Sequence, residues 1–193
     1  MTERQPQVLD IEEVIRSKAG NKARFIPKFL VNWFKKFMQL DKINEFLSIG
    51  YVGVEFCEEC VRYLGVDLVV EGLENLPEDG RKYTFVSNHP LGAIDGVTLG
   101  SIIGKKYDGN IRYLMNDLVM YLKGMQPLGI PINKLGGQSR NLPRLIREVY
   151  ESDNQMIIFP AGLCSRMIDG KIQDIEWQKS FITMSRKTGR DIV

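Results

Sequence analysis

A single histidine, His89, stands among the 193 residues, inside the run Ser87-Asn88-His89-Pro90-Leu91-Gly92-Ala93-Ile94-Asp95-Gly96. A neutral imidazole can take a proton from a hydroxyl or an amine. An ionised carboxylate can hold the ring and stabilise the imidazolium that forms. Asp95 is the carboxylate near it in sequence, and the run follows an apolar, strand-type stretch, Tyr83-Thr84-Phe85-Val86. Both groups therefore fall where a strand gives way to a loop. Pro90 removes a backbone donor, while Gly92 and Gly96 permit close approach and unusual dihedrals, which suits a turn that presents side chains into a cleft. The pattern reads as general-base catalysis by His89 with Asp95; the alternative is a hydrogen-bonded loop histidine without chemistry.

The segment Asn-His-Pro-Leu-Gly-Ala-Ile-Asp, followed some seventy residues later by Phe159-Pro160-Ala161-Gly162-Leu163-Cys164-Ser165-Arg166, resembles the lysophospholipid (glycerolipid) acyltransferase superfamily. Its first block is written His, four residues, Asp, and its third Phe-Pro-Glu-Gly-Thr-Arg-Ser. The resemblance is closer to the bacterial hemolysin-like branch that builds ornithine and glycine lipids, and it runs from about Val66 to the last residue. Two departures stand out. Five residues, Pro90 to Ile94, separate His89 from Asp95, so the pair meets only if Gly92 absorbs the extra residue. In the third block Ala161 replaces Glu and Leu163-Cys164 replace Thr-Arg, with Arg166 two places on. The lost polar groups go with a glycerol-phosphate acceptor in the superfamily, so their loss implies an amine acceptor, with Arg166 the cation available in their place.

The resemblance implies direct attack of the acceptor on an acyl thioester, without a covalent enzyme intermediate, a metal or a resident cofactor. His89 deprotonates the acceptor, Asp95 holds the ring, and backbone N–H groups near Ala93 are candidates for stabilising the oxyanion. Substrate contacts are expected from Asn88, Gly92, Phe159, Pro160, Gly162, Ser165 and Arg166. Gly129-Ile130-Pro131-Ile132-Asn133-Lys134 is similar to the family's second block, which adds Asn133 and Lys134. The implied reaction moves a fatty or 3-hydroxyfatty acyl group from an acyl carrier protein, or from acyl-CoA, to the amine of an amino acid such as glycine or ornithine. Two alternatives stay open. One is O-acylation of 1-acylglycerol-3-phosphate or glycerol-3-phosphate; the other is a noncatalytic lipid-binding protein that retains the fold, suggested by Ala161, the altered spacing and the early stop.

A lipid acceptor calls for membrane contact. Between Lys18 and Leu40 there are six basic residues and no acidic one. At about 100° per residue, Ile26, Phe29, Leu30, Trp33, Phe34, Phe37, Met38 and Leu40 share one helical face, opposite Lys28, Asn32, Lys35, Lys36, Gln39 and Lys42. This predicts a basic amphipathic helix lying in the lipid interface through Phe29, Leu30, Trp33, Phe34, Phe37, Lys28, Lys35 and Lys36, where each cation near an anionic leaflet contributes about 1 kcal/mol. The alternative is a surface helix with its aromatic residues packed on the domain. No stretch is apolar for the roughly 20 residues a spanning helix needs, so the expected location is peripheral, on the cytoplasmic face.

Composition sets the outer bounds. With 44% hydrophobic residues the chain can bury a core, and a net charge of +2 gives no reason to expect nucleic acid. Three cysteines and a polar start without a cleavable signal pattern suit a reducing, cytosolic-side location. Cys57-Glu58-Glu59-Cys60 lies in a helical pattern with no second ligand pair, so it reads as packing rather than as zinc or redox chemistry. Cys164 fills a place in the third-block loop. Gly136-Gly137 completes neither a dinucleotide fingerprint nor a P-loop.

The elements that must position these residues are read as follows. Residues 1–65 form a helical segment, with an acidic helix over Ile11 to Lys18, the basic helix over Pro27 to Phe46 and a third over Gly53 to Leu64. Residues 66–193 form an α/β acyltransferase domain with a mixed sheet flanked by helices. Its strands are expected at Asp67 to Glu71, Tyr83 to Val86, Ile111 to Met115, Ile130 to Asn133 and Met156 to Phe159. Its helices are expected at Ala93 to Ile103, Asp117 to Lys123, Ser139 to Tyr150 and Trp177 to Lys187. Arg190-Asp191-Ile192-Val193 reads as the opening of a further strand at which the sequence stops, so the domain is expected to be incomplete at its C-terminus.

Overall fold

The computed structural model describes residues 3–132 and 140–193. Four helices come first: α1 (Ile11–Ala19), α2 (Lys28–Phe37), α3 (Leu40–Ile49) and α4 (Val54–Tyr63). Then follow β1 (Tyr83–Val86), α5 (Ala93–Lys106), β2 (Ile111–Asn116), β3 (Gly129–Ile132), α6 (Leu142–Glu151), β4 (Gln155–Ile158), β5 (Arg166–Ile168), β6 (Lys171–Gln173), α7 (Ser180–Thr188) and β7 (Asp191–Ile192).

The main sheet has the order β3-β2-β4-β1-β7, and every pair in it is parallel. Antiparallel pairing is confined to a separate ribbon of β5 and β6. Parallel neighbours need long crossovers, and helices on both faces supply the cover. Strand alternation then divides the core in two. Tyr83, Phe85, Ile111, Tyr113 and Ile157 face one side, where Phe46 and Leu47 of α3, Phe56, Cys57 and Val61 of α4, and Val97 and Ile103 of α5 pack on them. Met156, Ile158 and Ile130 face the other side, against Leu142 and Tyr150 of α6 and Phe181 of α7.

Three expectations change. The long basic helix breaks: Gln39 takes a left-handed conformation (φ 50°) and separates α2 from α3. The break turns Leu40, Phe46 and Leu47 into the core while the aromatic face of α2 stays outside, so Leu40 leaves the face assigned to it. The Asp67 to Glu71 segment forms no strand. It lies against α4 and α5, lining an open cleft with Glu58, Val61, Ser101 and Ile102. Asp117 to Lys123 becomes two 3₁₀ segments, Asp117–Tyr121 and Lys123–Leu128. Pro127 cannot donate within a helix and Gly124 packs so closely on Phe56 that a Cβ there would overlap the ring.

The two loops that matter emerge together. β1 and β4 are parallel neighbours with Val86 opposite Ile158, and the Ser87 N–H continues the ladder to the Ile158 carbonyl at 3.1 Å. The chain therefore leaves both strands at the same edge of the sheet, the carboxyl end, where α/β sheets bind ligands.

Candidate active site

His89 lies three residues beyond β1 and Asp95 in the first turn of α5, at the helix's positive end, where a carboxylate is favoured. Gly92 joins them with φ 67°, the left-handed region a side chain resists, and there the extra residue of the spacing is taken up. A Cβ at Gly92 would also sit 3.3 Å from Cys164 Sγ, so this turn lies directly on the third-block loop. Across the turn His89 Nδ1 is 3.0 Å from Asp95 Oδ2, which also accepts the Leu91 N–H at 2.8 Å.

This geometry assigns the tautomer. With Nδ1–H donated to the carboxylate, Nε2 carries the free lone pair and is the nitrogen able to take a proton. The two side chains are 18% and 14% exposed, recessed yet open to a substrate. The Phe159 ring stacks on the imidazole, centroids 4.0 Å apart at 20°, and shields one face of it. Pairing and stacking together leave the ring little rotational freedom.

The third-block loop holds the histidine backbone as well. The Ser165 N–H donates to the His89 carbonyl at 2.8 Å, and the Gly162 N–H donates to the Phe159 carbonyl at 2.9 Å, closing a turn with Gly162 left-handed. Pro160 is buried, and its carbonyl accepts the Gln178 N–H at 3.1 Å. Asn88 is exposed, its carbonyl accepting from Ser87 Oγ at 2.9 Å. Arg166 opens β5 and is exposed, with no ion pair among the described residues. The structure thus brings His89, Asp95, Gly92, Phe159 and Ser165 together. Asn133 and Lys134 lie outside the described residues.

The sequence reading missed Asp174. Its Oδ1 accepts the His89 N–H at 3.3 Å and the Ser165 hydroxyl, and its Oδ2 accepts Trp177 Nε1–H at 2.9 Å. Burial opposes its charge, yet hydrogen bonds from Ser165, Trp177 and the His89 N–H hold the carboxyl below its usual range. Only the Trp177 three residues on is a local partner; in Gln173-Asp174-Ile175-Glu176 the residue looks like a solvated acidic turn.

The CxxC pair carries no site. Cys57 is wholly buried, its thiol 3.9 Å from Met125 Sδ, and burial pushes it up to about 12, so no thiolate forms at neutral pH.

The profile of a family described as Acyltransferase matches residues 13–193. The chain belongs to that acyltransferase family. A Phocaeicola vulgatus protein named lyso-glycine lipid O-acyltransferase is 52% identical over 195 residues, covering 100% of this chain and 70% of its own length. A Bacteroides thetaiotaomicron protein of the same name is 48% identical, covering 100% of the chain and 71% of its own length. The 1-acyl-sn-glycerophosphate acyltransferase PlsC of Thermotoga maritima has a similar fold, with a TM-score of 0.51 and 24% identity over 72% of this chain. The chain spans about half of that structure's length, 53%. This acyltransferase thus belongs to lipid biosynthesis.

Within this acyltransferase, Asp95→Asn is expected to lower turnover by about 10²-fold with the fold retained. The amide no longer compensates the imidazolium, and its two faces compete for the Nδ1–H and the Leu91 N–H. Turnover measured beside a thermal melt checks this; activity within a factor of about 2 would remove Asp95 from the chemistry.

Proposed function

We propose that the chain transfers a fatty acyl group from a thioester donor to the hydroxyl of a lyso-glycine lipid, with His89 as general base. The observation that carries the reading is the single imidazole, paired through Nδ1 with Asp95 and stacked on Phe159, its Nε2 without a hydrogen-bond partner among the described residues. The relatives' names support an oxygen nucleophile on a glycine lipid, where the sequence alone favours an amine.

The acceptor O–H gives its proton to Nε2 as the oxygen attacks the thioester carbonyl. The tetrahedral intermediate then collapses, the C–S bond breaks, and the leaving thiolate takes the proton back from the imidazolium. Backbone N–H groups at the start of α5 are candidate donors to the oxyanion. An acyl carrier protein is the proposed donor, acyl-CoA the other thioester to assay. Substrates and side chains do all of this chemistry, without a resident cofactor.

The proposed site of action is the cytoplasmic face of the membrane, reached through α2. Phe29, Trp33 and Phe37 are 73%, 59% and 67% exposed, Leu30 and Phe34 flank them, and Trp33 and Phe37 stack at 5.3 Å. Lys28 and Lys36 are exposed beside this face, whereas Lys35 turns back to Glu12 of α1 at 2.6 Å, so the role expected for it at the lipid surface passes to its neighbours. Among the described residues no helix is long and apolar enough to cross a membrane. Changing Phe29, Trp33 and Phe37 together to Ala is expected to weaken sedimentation with anionic phospholipid vesicles by at least ~10-fold. Unchanged sedimentation would place membrane contact elsewhere.

Mass spectra of lipids made from a thioester donor offered lyso-glycine lipid, free glycine or ornithine, and lysophosphatidate in turn test the reaction itself. The expected product carries the new acyl group as an ester. A new amide on free glycine or ornithine would restore the amine acceptor, and phosphatidate would replace both.

A further inference from the structure

Both peptide groups of His89 are held from outside its own loop. The Ser165 N–H holds the carbonyl, and Asp174 accepts the N–H. Asp174 also receives the Ser165 hydroxyl, so the two residues form a clamp around the His89 backbone. The same bond closes the neck of the β5–β6 ribbon, which begins at Arg166 directly after Ser165 and ends at Gln173 directly before Asp174. Trp177 Nε1–H holds the second carboxylate oxygen and so fixes the plane of the carboxylate.

A side-chain torsion starts from its own backbone, so the position of the His89 peptide decides where Nε2 lies relative to substrate. Asp95 and Phe159 set the ring's rotation and tilt. Neither fixes the Cα. We infer that Asp174 is a positioning residue of the catalytic base, clamping the His89 peptide to the third-block loop so that Nε2 meets the acceptor at attack distance. The inference rests on His89 being the base. A carboxylate suits this task because it can accept from all three donors at once, each bond assisted by its charge. An amide in its place must turn its NH₂ towards one of them.

The test uses the purified enzyme with an acyl thioester and lyso-glycine lipid, comparing Asp174→Asn, Trp177→Phe and His89→Ala. Since His89 is the only histidine, its ring signals in the NMR spectrum report the clamp without ambiguity of assignment. Asp174→Asn is expected to lower kcat by ~10-fold or more, since misplacement by an ångström can cost ~10²-fold, with KM for both substrates within about twofold. The imidazole signals are expected to move. Trp177→Phe removes one donor and keeps the charge, so a smaller fall of about 2–5-fold is expected, with a shift of the same signals. A purely structural role would lower the melting temperature and leave kcat per folded molecule unchanged.

A folded Asp174→Asn enzyme with kcat within about twofold of the parent and unmoved imidazole signals would overturn the inference. If that variant does not fold, Trp177→Phe decides by the same two readouts. Full activity in His89→Ala would instead overturn the base assignment, and with it this role for Asp174. Inactive His89→Ala beside fully active Asp174→Asn would sink the clamp alone.

Discussion

His89→Ala is expected to lower kcat/KM for acyl transfer by ~10³–10⁴-fold, about 4–5.5 kcal/mol of transition-state stabilisation, with the fold retained. No second histidine is present to take the proton. Asp95 is committed to Nδ1 and the Leu91 N–H, and Asp174 to the clamp. Nor does a thiol rescue the reaction by covalent catalysis: Cys57 is buried with its thiol held protonated, Cys60 is raised by burial as well, and the exposed Cys164 on the neighbouring loop is left without an imidazole to activate it. The side chain can be removed at modest structural cost, because it is partly exposed, its contacts are one face of Phe159 and Asp95, and Asp95 keeps the Leu91 N–H as a donor. Product formation by mass spectrometry, normalised to folded protein, checks this. Turnover within tenfold of the parent would mean that acceptor activation runs through another group.

The second large effect is on stability. Arg190→Met is expected to destabilise the fold by about 3–5 kcal/mol, a fall in melting temperature of roughly 6–20 °C. Arg190 is 4% exposed and directs its guanidinium entirely at backbone. Nε donates to the Tyr150 carbonyl at 2.7 Å, Nη1 to the Tyr83 and Asn154 carbonyls at 3.2 and 2.8 Å, and Nη2 to the Ser152 carbonyl at 2.8 Å. Three of these acceptors lie between the end of α6 and the start of β4, and the fourth is at the start of β1. One planar fork thus ties the α6–β4 turn to the centre of the sheet. Met fills much of the volume and satisfies none of the carbonyls, which remain away from water. The three donors of an ammonium sit on one nitrogen and cannot reach four carbonyls set around a planar fork, so Arg190→Lys is expected to recover little. Chemical denaturation showing a loss under about 1 kcal/mol for Arg190→Met would mean that water or a local shift serves these carbonyls equally well.

These two results sit at opposite ends of what the sequence reveals. His89 was legible as a candidate base because its signal is local: one imidazole, a carboxylate six residues on, a strand before them and a glycine between. The strands Tyr83–Val86, Ile111–Asn116 and Gln155–Ile158 were legible for a similar reason, since short apolar, β-rich runs bounded by turns carry their own signal. The segment at Arg190 to Val193 announced a strand, and Asp191–Ile192 pairs with β1. Nothing local announced that the arginine before it is buried.

The tertiary structure decided the rest, because each remaining feature is a contact between residues far apart in the chain. Asp174 reaches His89 across 85 positions, and Arg190 reaches Tyr83 across 107. A carboxylate or a guanidinium in sequence carries no sign of whether water or a backbone group will be its partner. The same holds for the helices: hydrophobic period placed Phe29 and Leu40 on one face, and only the left-handed turn at Gln39 sent Leu40 into the core while Phe29 stayed outside. Asp67 to Glu71 has the short apolar run of a strand but lies along α4 and α5 instead of pairing. By itself the sequence determined which groups could do the chemistry and which runs prefer to be strands, since both depend on near neighbours. Folding decided which strands pair, which charges are buried and what holds the His89 backbone, since burial and pairing are properties of the packed chain.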